Sequence, residues 1–192
     1  MKGLKLRKVF KIILAIFAVL IIIVVSFGAI IFLDVAAYTA TGAQTLTPTG
    51  TSVGKALVIY DPGLSGTAKI VANQIASDLR TQNYTVTLAG IKSSAAANAA
   101  GYSIIVVGGP VYAGLLTSSV KGTLSNLAPD QGAKVGIFGS GQGATTPEDV
   151  TQVKQSIPTN SDSALQNAVV VKIGQPEDLN IRAQDFVNQL GA

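Results

Sequence analysis

Between Ile12 and Leu33 every residue is apolar or small, with Ser26 and Gly28 the mildest exceptions. This uninterrupted run of 22 residues makes a helix of about 33 Å, against roughly 30 Å of bilayer hydrocarbon, and so predicts a transmembrane helix over 12–33. Beyond it the pattern changes twice. Residues 34–54 show neither helical nor strand periodicity and are rich in Thr, Gly and Ser, with no charge after Asp34; they are expected to be a flexible linker. From Lys55 to Ala192, short β-rich runs alternate with helical patterns five times, the signature of a parallel α/β sheet.

The strands are expected at Ala56–Tyr60, Tyr84–Leu88, Ser103–Val107, Lys134–Phe138 and Ala168–Ile173. Between them lie helical stripes: Val71, Ile75 and Leu79; Val120, Leu124 and Leu127; Val150, Val153 and Ile157; and, in a helix opening near Pro176, Leu179, Ala183, Phe186 and Leu190. The Ala-rich segment 93–100 reads as a short helix, and 158–166 as a polar loop. Thr146 followed by Pro147 and Asp149 is a helix N-terminus by composition: a capping hydroxyl, a proline needing no amide partner, and an acid near the free amides. The expected architecture is a three-layer, doubly wound sheet of five parallel strands, for which 2-1-3-4-5 is one of the two common orders. In that order strands one, three and four are neighbours, so the Gly-rich segments that follow them, 61–66, 108–114 and 139–145, converge on one crevice outside the strand ends, where ligands of such sheets bind.

Charge fixes the expected topology. Lys2, Lys5, Arg7, Lys8 and Lys11 fill the tail 1–11 with no acid among them. Basic flanks stay on the cytoplasmic side, so the N-terminus is expected inside the cell membrane and the domain at 55–192 outside. The formal net charge of +4 comes from that tail, because the other nine basic residues face ten acidic ones. The domain is therefore not a basic nucleic-acid binder. A cleavable signal peptide is the alternative, with Val35-Ala36-Ala37 as a small-residue cleavage site; a signal's apolar region of about 7–15 residues is shorter than this one.

Composition narrows the chemistry. The chain contains no Cys, no His and no Trp. That excludes a thiolate nucleophile, a hydrolase serine activated by histidine, and a metal centre built on nitrogen and sulfur ligands. No side chain stands out as catalytic, so redox or group-transfer chemistry would have to reside in a bound cofactor.

Three segments carry a resemblance. LVIYDPGLSGTAKIV at 57–71, VVGGPVYAGLLTSSVKGTL at 106–124 and KVGIFGSGQG at 134–143 are similar, in order and spacing, to the three cofactor loops of the flavodoxin family. The resemblance spans residues 55–192 and implies a flavodoxin-like fold with non-covalently bound FMN serving electron transfer. It places the phosphate at Gly63, Ser65, Gly66 and Thr67. The ring would lie along Gly109, Pro110, Val111, Tyr112, Ala113 and Gly114, with Tyr112 against its face, and its edge would meet Gly139, Ser140, Gly141 and Gln142. Pro62 and Leu64 stand where the family usually has Ser or Thr, and Asp61 sets a negative charge near the expected phosphate, so a weakened phosphate site is expected. Two other outcomes remain open: an FMN-dependent reductase of quinones, or a tethered module that has lost its flavin. In the first two readings the partner is a redox protein or a small acceptor, and the membrane is engaged through 12–33.

Other motifs fit less well. GSGQGA at 139–144 matches the dinucleotide fingerprint but follows the fourth strand, with no acid at the end of the next one. A receiver domain needs an Asp where this chain has Gly108-Gly109-Pro110, and Asn83-Tyr84-Thr85 is a glycosylation tripeptide of a kind that arises often by chance.

Overall fold

The alternation of buried strands and amphipathic helices is realised in a computed structural model that describes residues 2–37, 40–158, 163–175 and 177–192. The chain divides into two units, one ending at Ala37 and the other Tyr38–Ala192. The first is a single helix, α1 (Lys2–Ala37), which extends past both ends of the expected 12–33. Leu, Lys and Arg are good helix formers, so nothing in the tail ends the helix. Its segment Phe10–Ala29 is long and apolar enough to cross a membrane. The side chains of residues 1–9 and 30–39 lie outside the described residues, and with them most of the basic tail and the Val35-Ala36-Ala37 site.

The second unit runs β1 (Ala43–Leu46), β2 (Gly54–Tyr60), α2 (Thr67–Thr81), β3 (Tyr84–Gly90), a 3-10 turn (Ser94–Ala97), β4 (Ile104–Tyr112), β5 (Leu115–Leu116) and α3 (Ser118–Ser125). It continues with β6 (Lys134–Gln142), α4 (Pro147–Gln155), α5 (Ser163–Gln166), β7 (Val169–Gln175) and α6 (Leu179–Gln189). The five parallel strands lie in the order β3-β2-β4-β6-β7, which is the 2-1-3-4-5 arrangement. Alternate residues of each strand enter opposite cores. Ala56 and Val58 pack with Val71, Ile75 and Leu79 of α2 and Phe186 of α6, whereas Leu57 and Ile59 pack with Val120 and Leu124 of α3 and Val153 of α4. Leu57, Ile59, Ile75, Phe138 and Phe186 are among the largest fully buried side chains, each contributing about 1.5–3 kcal/mol on transfer from water.

The structure corrects the expected elements in four places. Residues 43–46, expected within the flexible linker 34–54, form β1, which pairs antiparallel with β3 from Ala43↔Ala89 to Leu46↔Val86. The chain thus enters the sheet at the carboxyl end of β3, where Lys92 N donates to Ala40 O and Gly90 N to Gly42 O. No apolar period announced this strand because it is exposed on an edge and its stabilisation is mostly main-chain pairing. The segment 93–100 forms only a 3-10 turn, capped by Ser93. The polar loop at 158–166 carries α5 around the buried Leu165, its residues 159–162 lying outside the described set. Finally, β4 and β6 continue through Gly108-Gly109-Pro110 and Gly139-Ser140-Gly141; Gly108 pairs with Phe138, Gly109 with Gly139 and Pro110 with Ser140. Glycine there serves packing, since a Cβ on Gly108 would collide with Phe138 and one on Gly109 would lie 2.7 Å from Val120 Cγ2. The last helix starts at Leu179 with Asp178 as its cap; Pro176, where its opening was expected, is outside the described residues.

Candidate functional site

At the carboxyl ends of β2, β4 and β6 the three Gly-rich segments meet, as the strand order requires. They enclose a cleft of about 460 Å³ lined by Leu64, Ser65 and Thr67 from the first, Pro110 to Gly114 from the second, and Ser140, Gly141 and Gln142 from the third. Asp149 of α4 and Lys172 of β7 complete the lining. Ser65, Thr67, Pro110, Val111, Tyr112, Ala113, Gly114, Ser140, Gly141 and Gln142 are thus brought together. Gly63, Gly66, Gly109 and Gly139 are not part of the lining. Gly109 and Gly139 lie beneath it as packing positions, the latter pressed against Val111.

The first segment is organised by Asp61. This residue is only 2% exposed and its carboxylate accepts from the Gly63 amide at 3.1 Å, the Thr117 hydroxyl at 3.0 Å and the Ser119 hydroxyl. The expected charge beside the phosphate site is therefore not part of the cleft lining and is consumed in tying the β2–α2 turn to the start of α3. The Gly63 bond is an Asx turn, and Gly63 itself has φ +60°. A Cβ at Gly63 would lie 2.7 Å from Pro110 Cγ and 3.3 Å from the Tyr112 hydroxyl, so the glycine is what lets the first and second segments close on each other.

Helix α2 opens on Gly66, in the left-handed conformation with open space where a Cβ would stand, and without an acid in its first turn. Ser65 Oγ lies 3.0 Å from Thr67 Oγ1 and accepts from the Thr67 amide at 3.3 Å. Two hydroxyls at an acid-free helix N-terminus make a donor set suited to an anionic group.

The second segment is a tight hairpin rather than a loop. Val111↔Leu116 and Tyr112↔Leu115 pair across Ala113 and Gly114, which have φ +49° and +80°, the signs of a type I′ turn. The hairpin brings Tyr112 into the cleft lining, its hydroxyl beside Gly63. On the opposite wall Lys172 Nζ contacts Asp149 Oδ2 at 2.9 Å. Asp149 also closes the Thr146 capping box, accepting from the Thr146 amide at 2.9 Å, so the sequence signal at 146–149 is borne out and serves the site as well as the helix. The Lys172 ammonium, followed by the Thr146 amide, holds the Asp149 carboxyl below the usual carboxylate range.

Behind this wall, burial acts to raise the Glu177 carboxyl, but hydrogen bonds from Thr145 and Gly174 and the nearby Arg182 bring it below its ordinary value. Glu177 thereby ties the end of β7 to the loop after β6.

Larger depressions of about 710 and 670 Å³ lie elsewhere. The first is at the amino end of β6 and β7, where Asp130 is engaged by the Gly101 amide and Lys134 by Gly191 O. The second lies between the 3-10 turn and α3 and is walled mainly by Ala, Ser and Asn. Neither gathers the loops at a strand-order reversal. The smaller cleft is the candidate site because of its position and donor chemistry, and its volume falls within the roughly 300–1,000 Å³ typical of small-molecule sites. Sequence reasoning missed Leu64 as a lining residue, and it missed Asp149 and Lys172 as site residues. The only signal for Lys172 was a charged residue inside an otherwise apolar strand.

No protein-family model and no curated protein matches the chain. Solved structures do. Oxidised flavodoxin 2 from Bacillus cereus aligns with a TM-score of 0.52 at 21% identity, over 71% of this chain and 97% of its own. The flavodoxin of Streptococcus pneumonia TIGR4 aligns with a TM-score of 0.51 at 18% identity, over 71% and 97%. A short-chain flavodoxin associated with a PDU bacterial microcompartment gives 0.50 at 21% identity, over 71% and 95%. At these identities the likeness concerns the fold, and the Tyr38–Ala192 unit has the flavodoxin-like fold.

Proposed function

We propose that this unit binds FMN non-covalently in the cleft and carries electrons at a membrane surface, to which α1 anchors it. The observation that carries the reading is the convergence of Ser65 and Thr67 at the free start of α2 with the Tyr112 hairpin and the Ser140–Gln142 strand end around one cleft. The residues fit the group from end to end. Ser65, Thr67 and the α2 amides would hold the phosphate; Tyr112 and the Pro110–Gly114 main chain would lie along the ring; Gln142 and its neighbours would meet the ring edge. Asp61 does not line the cleft, and its carboxylate is engaged by the Gly63 amide and the Thr117 and Ser119 hydroxyls. When bound, FMN supplies one- and two-electron redox chemistry, and the protein orients it and limits solvent at its face.

The test is titration of the full chain in detergent with FMN, followed by flavin fluorescence. Saturable quenching is expected, with Thr67→Ala weakening binding about tenfold, the scale of one charge-assisted hydrogen bond, and Tyr112→Ala weakening it and also shifting the midpoint potential. Absence of quenching would leave the tethered, flavin-free module as the surviving account.

The basic flank supports a domain outside the cell. Because the chain has no cysteine, Gln131→Cys in the exposed loop before β6 is the sole thiol of its variant. It is expected to react with a membrane-impermeant maleimide in intact cells; reaction only after lysis would reverse the topology.

A further inference from the structure

Strand β7 reads Val169-Val170-Val171-Lys172-Ile173, and its lysine is 6% exposed. An ion pair taken out of water is a poor way to stabilise a strand, since apolar side chains of similar volume commonly do as well or better. Packing therefore gives no reason for a cation here. Lys172 runs along the third segment, its Cε 3.5 Å from where a Cβ on Gly141 would stand, and its ammonium reaches Asp149 at the cleft wall. Among the described residues these two are the only charged groups lining the cleft. They are not screened alike: the side chain of Lys172 is 7% exposed and that of Asp149 24%. The carboxylate is also partly neutralised by the Thr146 amide and by the start of α4. The field inside the cleft is consequently weighted toward positive charge.

Position decides what that charge can meet. Across β2, β4, β6 and β7 the strand spacing of about 4.8 Å separates the main chain of Lys172 by roughly 14 Å from that of β2, which leads into the phosphate end of the site. Lys172 stands instead beside Ser140–Gln142, where the ring edge is expected. We propose that Lys172, positioned by Asp149, is the electrostatic determinant of the cofactor's reduction potential, favouring the reduced flavin because reduction places negative charge on the ring. This rests on the FMN reading above. It makes the domain an acceptor of electrons at a higher potential than the same cleft with a neutral residue would give.

Three variants of the full chain in detergent test it, each titrated with FMN in the oxidised state and again under a reducing poise. Lys172→Met keeps the length of the side chain and removes the charge; the ratio of reduced to oxidised affinity is expected to fall about tenfold, which for a two-electron couple is about 30 mV lower in midpoint potential. Asp149→Asn releases the ammonium from its counter-charge and is expected to raise the ratio. Lys172→Arg retains the charge and is expected to stay within about threefold of the original, the order of context dependence for a conserved charge.

Opposite signs for the first two variants are the signature, because a purely structural ion pair would change melting temperature and both affinities together while leaving their ratio alone. If the unmodified chain binds no FMN, the functional reading falls and this inference with it. If it binds FMN but Lys172→Met and Asp149→Asn move the ratio in the same direction or not at all, this inference alone is overturned. Should Lys172→Met fail to fold, the sign obtained with Asp149→Asn decides.

Discussion

Asp61→Ala is expected to destabilise the Tyr38–Ala192 unit by roughly 2–4 kcal/mol and to abolish FMN binding, although the carboxylate does not line the cleft. The effect follows from the accounting of donors. The Gly63 amide and the hydroxyls of Thr117 and Ser119 all end on this one side chain, and Thr117 is itself 4% exposed, so alanine strands donors where water is scarce. The loss then propagates. Without its Asx turn Gly63 is no longer held against Pro110 and the Tyr112 hydroxyl, and the first and second walls of the cleft separate. Asp61→Asn preserves an acceptor for Gly63 but turns one oxygen into a donor facing two hydroxyls. Because a hydroxyl can rotate to accept, it is expected to cost about half as much. Ser119→Ala, which leaves Thr117 and Gly63 in place, should cost no more than about 1.5 kcal/mol. Urea unfolding followed by circular dichroism gives the order; equal stabilities for Asp61→Ala and Ser119→Ala would show that the carboxylate does not organise the turn.

The same residue marks where a sequence stops being legible. The strands and helices were legible as apolar runs and helical stripes, because burial on both faces forces Ala56–Tyr60 and its counterparts to be nearly continuous in hydrophobicity; their order came with the fold class. The convergence of the three Gly-rich segments followed from that order. The engagement of a single carboxylate did not: Asp61 is adjacent to the expected phosphate loop in sequence, and only the packing of Thr117 and Ser119, 56 and 58 positions away, occupies it. Glycine was ambiguous for a related reason. Gly108 and Gly109 read as a ligand-contacting loop, yet main-chain pairing with Phe138 and Gly139 carries the strand through them, and their missing side chains make room for Phe138 and Val120 rather than for a cofactor. The Lys172–Asp149 pair joins a strand and a helix 23 residues apart, and neither residue has a local pattern that announces the other.

A chain that begins at Lys55, the domain boundary expected from composition, should be markedly less stable than one that begins at Ala40. Truncation removes β1 and leaves the outer edge of β3 with its main-chain groups unpaired. It also strips Leu46, which packs against the core formed by α2 and β3. Each net main-chain hydrogen bond contributes roughly 0.5–1.5 kcal/mol, and ordering the four residues of β1 opposes part of that gain, so a loss of about 2–3 kcal/mol is expected. A second consequence is kinetic. β3 alternates Val86 and Leu88 with Thr85 and Thr87, and once uncovered it offers an open strand edge for pairing with other chains. Thermal melts of the two truncated chains, with light scattering over a concentration series, check both effects. The expected result is a lower midpoint and concentration-dependent association for the Lys55 start alone. Indistinguishable melts would mean that β1 contributes nothing net, and that the fold is complete without the segment joining it to α1.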